Sequence, residues 1–170
     1  MEDYYSQKQF LCEQINDIVN GLLEQNDVFF HCVCKTKIHS INRDGLKVSF
    51  CEDNRDQNEP LVLRYCFKHK LIETYRMVGG CCAGGERDVE IIAVPARVIL
   101  SKKFGFDWSA VQTSSHATST TGTKMSLNDI LNTFRSTGFI SCYDDVKAEE
   151  IKVLTTEEKK FLLPPMYHEF

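Results

Sequence analysis

The feature that most constrains the fold is a change of hydrophobic period near residue 28. From there to about residue 100, apolar and polar side chains alternate in short runs, as expected for β-strands with one face turned toward a core. Turn signals separate the runs, among them the dipeptide Asp44-Gly45 and the glycine-rich residues 79–85. Five short strands joined by short turns predict a small antiparallel barrel or a strongly curled sheet.

Each predicted strand has a core set and an outward set of side chains. The runs cover residues 28–38, 46–51, 61–68, 71–78 and 89–100. In the first run, Val28, Phe30 and Cys32 belong to the predicted core, whereas Phe29 and His31 belong to the outward set. The outward positions are therefore candidates for contact with solvent or with a ligand.

Helical spacing flanks the predicted barrel on both sides. An apolar stripe runs through residues 6–25, Ser126 is placed to cap a second helix, and Thr155 with Glu158 forms the capping box of a third. The predicted fold is therefore mainly β with flanking helices. Its plan is a helix at residues 1–27, the barrel at 28–112, a Ser/Thr-rich linker at 113–125, and a C-terminal helical segment and tail at 126–170.

Composition and cysteine spacing exclude several classes of protein. Hydrophobic residues make up 42% of the chain and charged residues 26%, which is ordinary for a globular domain. No apolar run reaches the ~18 residues of a membrane span, and no signal peptide is recognisable. The eight cysteines are therefore predicted to be thiols in a reducing compartment. Because no pair has the C-x2-C spacing of a zinc site, no metal is predicted.

The formal net charge of −4 conceals a basic middle of the chain. Residues 28–80 carry nine Lys and Arg against six acids, whereas residues 1–27 carry one Lys against six acids. Two interpretations stay open. The asymmetry is either ordinary surface scatter or a weak polyanion-binding face whose acidic flanks contact partners.

Motifs of enzymatic chemistry are missing from the sequence. There is no G-x-S-x-G, no phosphate-binding loop and no H-E-x-x-H, and no Lys-Ser/Thr pair follows the glycine-rich residues 79–85. Asp107, Ser114 and His116 could be written as a triad, but they surround a tract that offers no defined geometry. We therefore predict no enzyme, no cofactor and no small-molecule substrate.

Two pairs of predicted strands resemble strand pairs of an OB-fold. FHCVCKTKI at residues 30–38, followed by LKVSFCED at 46–53, is similar to an opening hairpin that ends in an acidic turn. The run 71–78, the glycine-rich loop and VEIIAVPARVI at 89–99 are similar to strands four and five. In style the chain resembles the small and middle subunits of replication protein A and the small OB subunits of telomere-capping complexes.

One departure from the OB pattern keeps other folds open. The short His69-Lys70 connection leaves no room for the helix that often lies between strands three and four of an OB-fold. A plain curled sheet or a helix-plus-meander interaction domain is the alternative.

The OB resemblance implies a non-enzymatic, nuclear subunit of a genome-maintenance complex, with telomere capping as one specific form. Such a subunit would contact single-stranded DNA, a second OB subunit, or both. Binding of single strands requires cations for phosphates and exposed rings for bases. The outward positions that offer them are Lys35, Lys37, Lys47, Arg64, Lys68, Arg76, Phe29 and His31.

The resemblance also implies a hetero-oligomer, because the helix after an OB barrel packs against its counterpart in a partner subunit. The residues predicted to contact another protein are Leu127, Ile130, Leu131 and Phe134, with Phe161 and Leu162 in reserve. Their apolar stripe would equally complete the core of a single chain. The alternative function is a protein-interaction scaffold with no nucleic-acid role, and neither function involves a membrane.

Overall fold

Six strands form one open antiparallel sheet in the computed structural model, which describes residues 15–51, 61–113 and 126–168. The strands are β1 Val28–Cys34, β2 Leu63–Cys66, β3 Val89–Pro95, β4 Phe104–Gly105, β5 Phe139–Cys142 and β6 Lys152–Val153. Their order across the sheet is β4-β5-β2-β1-β3-β6. The antiparallel sheet with flanking helices is confirmed, whereas the closed five-stranded barrel is wrong.

Seven α-helices accompany the sheet within the described ranges. They are α1 Ile15–Gln25, α2 Ile38–Asp44, α3 Leu71–Gly79, α4 Ala96–Leu100, α5 Trp108–Thr113, α6 Leu127–Thr137 and α7 Thr156–Leu162. The protein is therefore a mixed α/β fold. None of these helices has both the length and the apolar composition needed to cross a membrane.

Helices cover both faces of the central strands. One face carries Phe29 of β1 and Tyr65 of β2 against α1, α4 and α6. The opposite face carries Phe30 and Cys32 against α3 and the C-terminal residues, with Tyr75 of α3 at its centre. β1 also pairs with β3 along all seven of its residues, so it is an inner strand with helical layers on both of its faces.

Four runs predicted as strands are helical in whole or in part, and one of them, 46–51, contains a 3-10 helix at Val48–Cys51. Residues 71–78 fall in α3, whose buried residues Leu71, Tyr75 and Gly79 recur every fourth residue. The first run leaves the sheet after Cys34 and turns into α2, and the last run turns into α4 after Pro95. Short apolar runs fit a buried helix as well as a strand, so their periodicity alone did not distinguish the two.

The predicted capping signals of the C-terminal segment are confirmed. The Ser126 hydroxyl accepts from the Asp129 N–H at 3.1 Å, and Gly138 ends α6 in a left-handed conformation with φ +74°. Thr155 and Glu158 form the reciprocal capping box of α7. The same segment also supplies β5 and β6, which the sequence analysis does not predict.

Two predicted segments lie mostly outside the described residues. The N-terminal helix is seen from Ile15 onward, and residues 114–125 of the predicted Ser/Thr-rich linker are not described.

Candidate functional site

Four of the six predicted nucleic-acid cations are engaged by other side chains. Carboxylates pair with three of them: the Lys35 Nζ lies 2.9 Å from Asp88 Oδ1, the Lys47 Nζ lies 3.8 Å from Asp145 Oδ2, and the Arg64 Nε lies 2.6 Å from Asp107 Oδ2. The fourth, Arg76, donates from Nε to the Tyr167 hydroxyl oxygen at 2.7 Å. Much of the positive charge expected to face a ligand is therefore directed at the protein itself.

The predicted cations also lie at separate places on the fold. Lys35 and Lys37 form the turn after β1, while Lys68 begins the turn after β2. Because β1 and β2 are antiparallel, with Phe30 opposite Cys66, these two turns lie at opposite ends of the sheet. Lys35 and Lys37 are therefore separated from Lys68 by the length of the paired strands.

The two predicted base-contacting rings do not stand free on the surface. Phe29 is fully buried, with its ring centroid 5.0 Å from that of Phe67. His31 lies beside Tyr65 at 5.6 Å, and its Nδ1–H donates to the Arg64 carbonyl at 2.8 Å. Burial lowers the pKa of His31, so the ring is neutral at pH 7. The outward set of β1 is thus buried at Phe29 and half-buried at His31, because a helical layer covers that face too.

The predicted partner-contacting residues divide into two groups. Ile130 and Phe134 are fully buried in the core of the chain itself, and Leu127 and Leu131 pack against the same core. Phe161 of α7 is different, because 89% of its surface is exposed. The apolar stripe of α6 therefore completes the folded chain, and the reserve position Phe161 is the one left available to a partner.

Among the described residues, the large hydrophobic side chains that are exposed all belong to elements packed on the same face of the sheet. They are Met77 of α3, Phe161 of α7 and Met166 of the turn Pro165–Tyr167, with exposed fractions of 57%, 89% and 66%. We call α3, α7 and this turn the outer layer. It covers the sheet face that carries Phe30 and Cys32.

Specific contacts hold the outer layer in place. The Tyr167 ring meets the Tyr75 ring of α3 edge-on at 5.2 Å and accepts a hydrogen bond from Arg76. The Lys159 Nζ of α7 lies 2.6 Å from Glu90 Oε2 on β3. The exposed hydrophobic side chains are therefore presented from an ordered support. Sequence reasoning missed Met77, because the run that contains it looked like a strand.

A disulfide links the end of β1 to the loop after α3. It joins Cys34 to Cys82, whose Cα atoms are 6.0 Å apart. The prediction that every cysteine is a thiol is therefore wrong for this pair. The two residues are distant in sequence, so only the packing of α3 on the sheet brings them together.

Four other cysteines, Cys32, Cys66, Cys81 and Cys142, are free thiols in contrasting environments. Cys32, Cys66 and Cys142 are buried, and burial raises the pKa of each thiol, to about 11 for Cys66 and for Cys142. Cys81, next to the disulfide, is exposed. Among the described residues, no group of three or more His, Cys, Asp or Glu side chains could hold a metal ion.

Comparison of the chain with models of protein families, with curated proteins and with solved structures found no match.

Proposed function

We propose that this chain is a non-enzymatic protein-interaction module whose partner binds the outer layer. The observation that carries the proposal is the exposure of Phe161, an aromatic side chain 89% accessible on a helix that is otherwise anchored to the sheet. Met166 and Met77, on the neighbouring elements of the same layer, are also more than half exposed.

Burying these side chains against a partner would stabilise the complex. Removing a large apolar side chain from water contributes about 1.5–3 kcal/mol, and aromatic residues and Met are enriched at the centres of interfaces. The contacts of Tyr167 and Lys159 already fix the backbone that carries the exposed residues. Association would therefore lose little additional conformational entropy in this layer.

The ion pairs described above favour a protein partner over single-stranded DNA. A strand would have to compete with Asp88 for Lys35 and with Asp107 for Arg64. Counterion release, which drives non-specific binding to nucleic acid, requires cations that are free to meet phosphates. In addition, the fully buried Phe29 offers no face on which a base could stack.

A photo-crosslinking experiment tests the proposal. A photoreactive phenylalanine analogue is placed at Phe161 or Met166, and for comparison at Asn128, which is exposed on α6 beyond the opposite face of the sheet. We expect the first two positions to crosslink the same protein in cells, and position 128 not to do so. Equal labelling from all three positions would contradict a binding surface on the outer layer.

A titration separates the two function classes. The purified wild-type chain is mixed with short single-stranded DNA at ~50 mM and at ~200 mM salt. We expect no saturable binding at either concentration. Tight binding that weakens steeply with salt and is lost in a Lys37→Glu/Lys68→Glu variant would favour the nucleic-acid function instead.

A further inference from the structure

The Cys34–Cys82 disulfide links two elements, β1 and the loop after α3, that other contacts also hold in place. Cys34 is the last residue of β1, and β1 pairs with β3 along its whole length. The Tyr75 hydroxyl of α3 donates to the Glu86 carbonyl at 2.6 Å, across the loop that contains Cys82. These hydrogen bonds do not depend on the disulfide, so the sheet and α3 would remain in place without it.

A second contact keeps the two half-cystines near one another. Lys35, the neighbour of Cys34, pairs with Asp88 at 2.9 Å, and Asp88 also accepts from the Gly84 N–H at 2.7 Å. The turn that carries Cys82 is thus tied to the end of β1 by an ion pair as well as by the disulfide. After reduction the two thiols would stay close enough to pair again.

Among the cysteines whose side chains the structure describes, those accessible to solvent lie together at the end of β1 and in the loop after α3. Cys34 and Cys82 are only half-buried, so a reductant can approach the bond from solvent. Cys32, Cys66 and Cys142 are enclosed in the core, where a thiol is inert. Cys82 also packs against the core of its face, whereas the adjacent Cys81 points to solvent. This difference selects Cys82 as the partner that closes on Cys34.

We propose that Cys34 and Cys82 form a reversible redox latch that controls the local stability of residues 79–88. A thiolate of a dithiol reductant attacks one sulfur of the disulfide, the other sulfur leaves as a thiolate and takes up a proton, and the second thiol of the reductant resolves the mixed disulfide. The products are two protein thiols and an oxidised reductant. Reoxidation takes a separate route, in which hydrogen peroxide accepts two electrons and two protons from the thiols, giving the disulfide and two molecules of water.

The reduced (open) and disulfide-bonded (closed) forms of the latch differ in how strongly the loop after α3 is constrained. The N–H groups of Gly80, Cys81, Cys82 and Gly85 donate to carbonyls of the last turn of α3 and of the loop itself. With the disulfide reduced, this segment loses its covalent link to β1 and is held by weaker contacts, among them the Lys35–Asp88 pair and the Tyr75 hydroxyl. Its amides should then open locally far more often, while the paired β1 and β3 remain protected.

Hydrogen exchange of the full chain in graded mixtures of reduced and oxidised dithiothreitol tests the latch. We expect one reversible two-electron transition, exchange about tenfold or more faster at these four amides in the reduced form, and unchanged exchange in β1 and β3. Peptide mapping after reoxidation with hydrogen peroxide should recover the Cys34–Cys82 bond. Cys81→Ser should behave like the wild type, and Cys34→Ser/Cys82→Ser should exchange at the reduced rate whatever the mixture.

Three results would overturn the proposal. The first is a bond that resists the dithiol until the whole chain unfolds. The second is reduction that leaves the four amides as protected as before. The third is reduction that releases β1 and β3 together with the loop. If the double variant does not fold, the same readings on the wild-type chain decide the question. None of these readings involves a partner protein, so the latch stands or fails independently of the outer-layer proposal.

Discussion

The guanidinium of Arg64 on β2 lies against the carboxylate of Asp107, with Nε 2.6 Å from Oδ2 and Nη2 3.2 Å from Oδ1. Asp107 is buried and also accepts from the Ser109 N–H at 3.2 Å, at the start of α5. Arg64 in turn lies over the Phe139 ring of β5. One side chain therefore ties the short edge strand β4 and the helix after it to an inner strand of the sheet.

Removing the Arg64 cation should destabilise the fold, because it leaves the buried Asp107 carboxylate without its charged partner. We expect Arg64→Met to lower the free energy of unfolding by about 2 kcal/mol, less than for a fully buried pair because the Arg64 side chain is 44% exposed. Urea denaturation of this variant, of Asp107→Asn and of the double variant completes a cycle. The coupling energy should be about 1–2 kcal/mol, and additive changes would contradict the ion pair.

Two phenylalanines predicted to contact a partner should respond in opposite ways. Phe134 is fully buried, with its ring 4.5 Å from that of Phe106, so Phe134→Ala should cost about 3–5 kcal/mol of stability. Phe161→Ala, the matched control, should change the stability of the isolated chain by less than about 0.5 kcal/mol. Thermal unfolding of both variants checks this, and a stable Phe134→Ala chain would contradict the described core.

The half-buried His31 should make the chain less stable in mild acid. Burial lowers its folded-state pKa below 6.5, so as the pH falls through that value the unfolded chain gains a proton that the folded chain does not. The free energy of unfolding should therefore decrease from about pH 7 to pH 5 and level off once the folded imidazole is protonated as well. In that range His31→Asn, which retains a donor for the Arg64 carbonyl, should show a flatter pH dependence than the wild type.

Gly138 and Gly85 offer a comparison of left-handed positions with and without crowding. Both have positive φ, at +74° and +70°, but a Cβ at Gly138 would collide with the Lys70 side chain, whereas a Cβ at Gly85 meets nothing within 4 Å. We expect Gly85→Ala to cost about 1 kcal/mol from backbone strain alone, and Gly138→Ala to cost more. Chemical denaturation gives both values, and equal losses would show that the Lys70 side chain moves aside freely.

Local signals in the sequence were sufficient for the caps of α6 and α7 and for part of the sheet. Ser126, Gly138 and the pair Thr155 and Glu158 specify caps through their own side chains and backbone freedom, and the structure has all of them. The cores of β1 and β3 also follow from their apolar runs.

Long-range features were not accessible in this way. β6 has only two residues, and it exists because β3 supplies Ile92 and Ala93 as its pairing partners. Leu71–Gly79 is a helix because its apolar side is buried against the sheet face of Phe30 and Cys32. The same packing brings Cys82 to Cys34. Phe29 looked outward on alternation alone, and it is buried because α1, α4 and α6 lie on that face.

The strand order has a consequence for synthesis of the chain. The inner strands β1, β2 and β3 are made first, while β5 and β6, which flank them on either side, come from the last third of the sequence. Until residues 139–153 leave the ribosome, β2 and β3 each present an unpaired backbone edge. A nascent chain that stalls in this interval would be open to edge-to-edge aggregation, so chaperone binding should be strongest there and should end once β6 can pair.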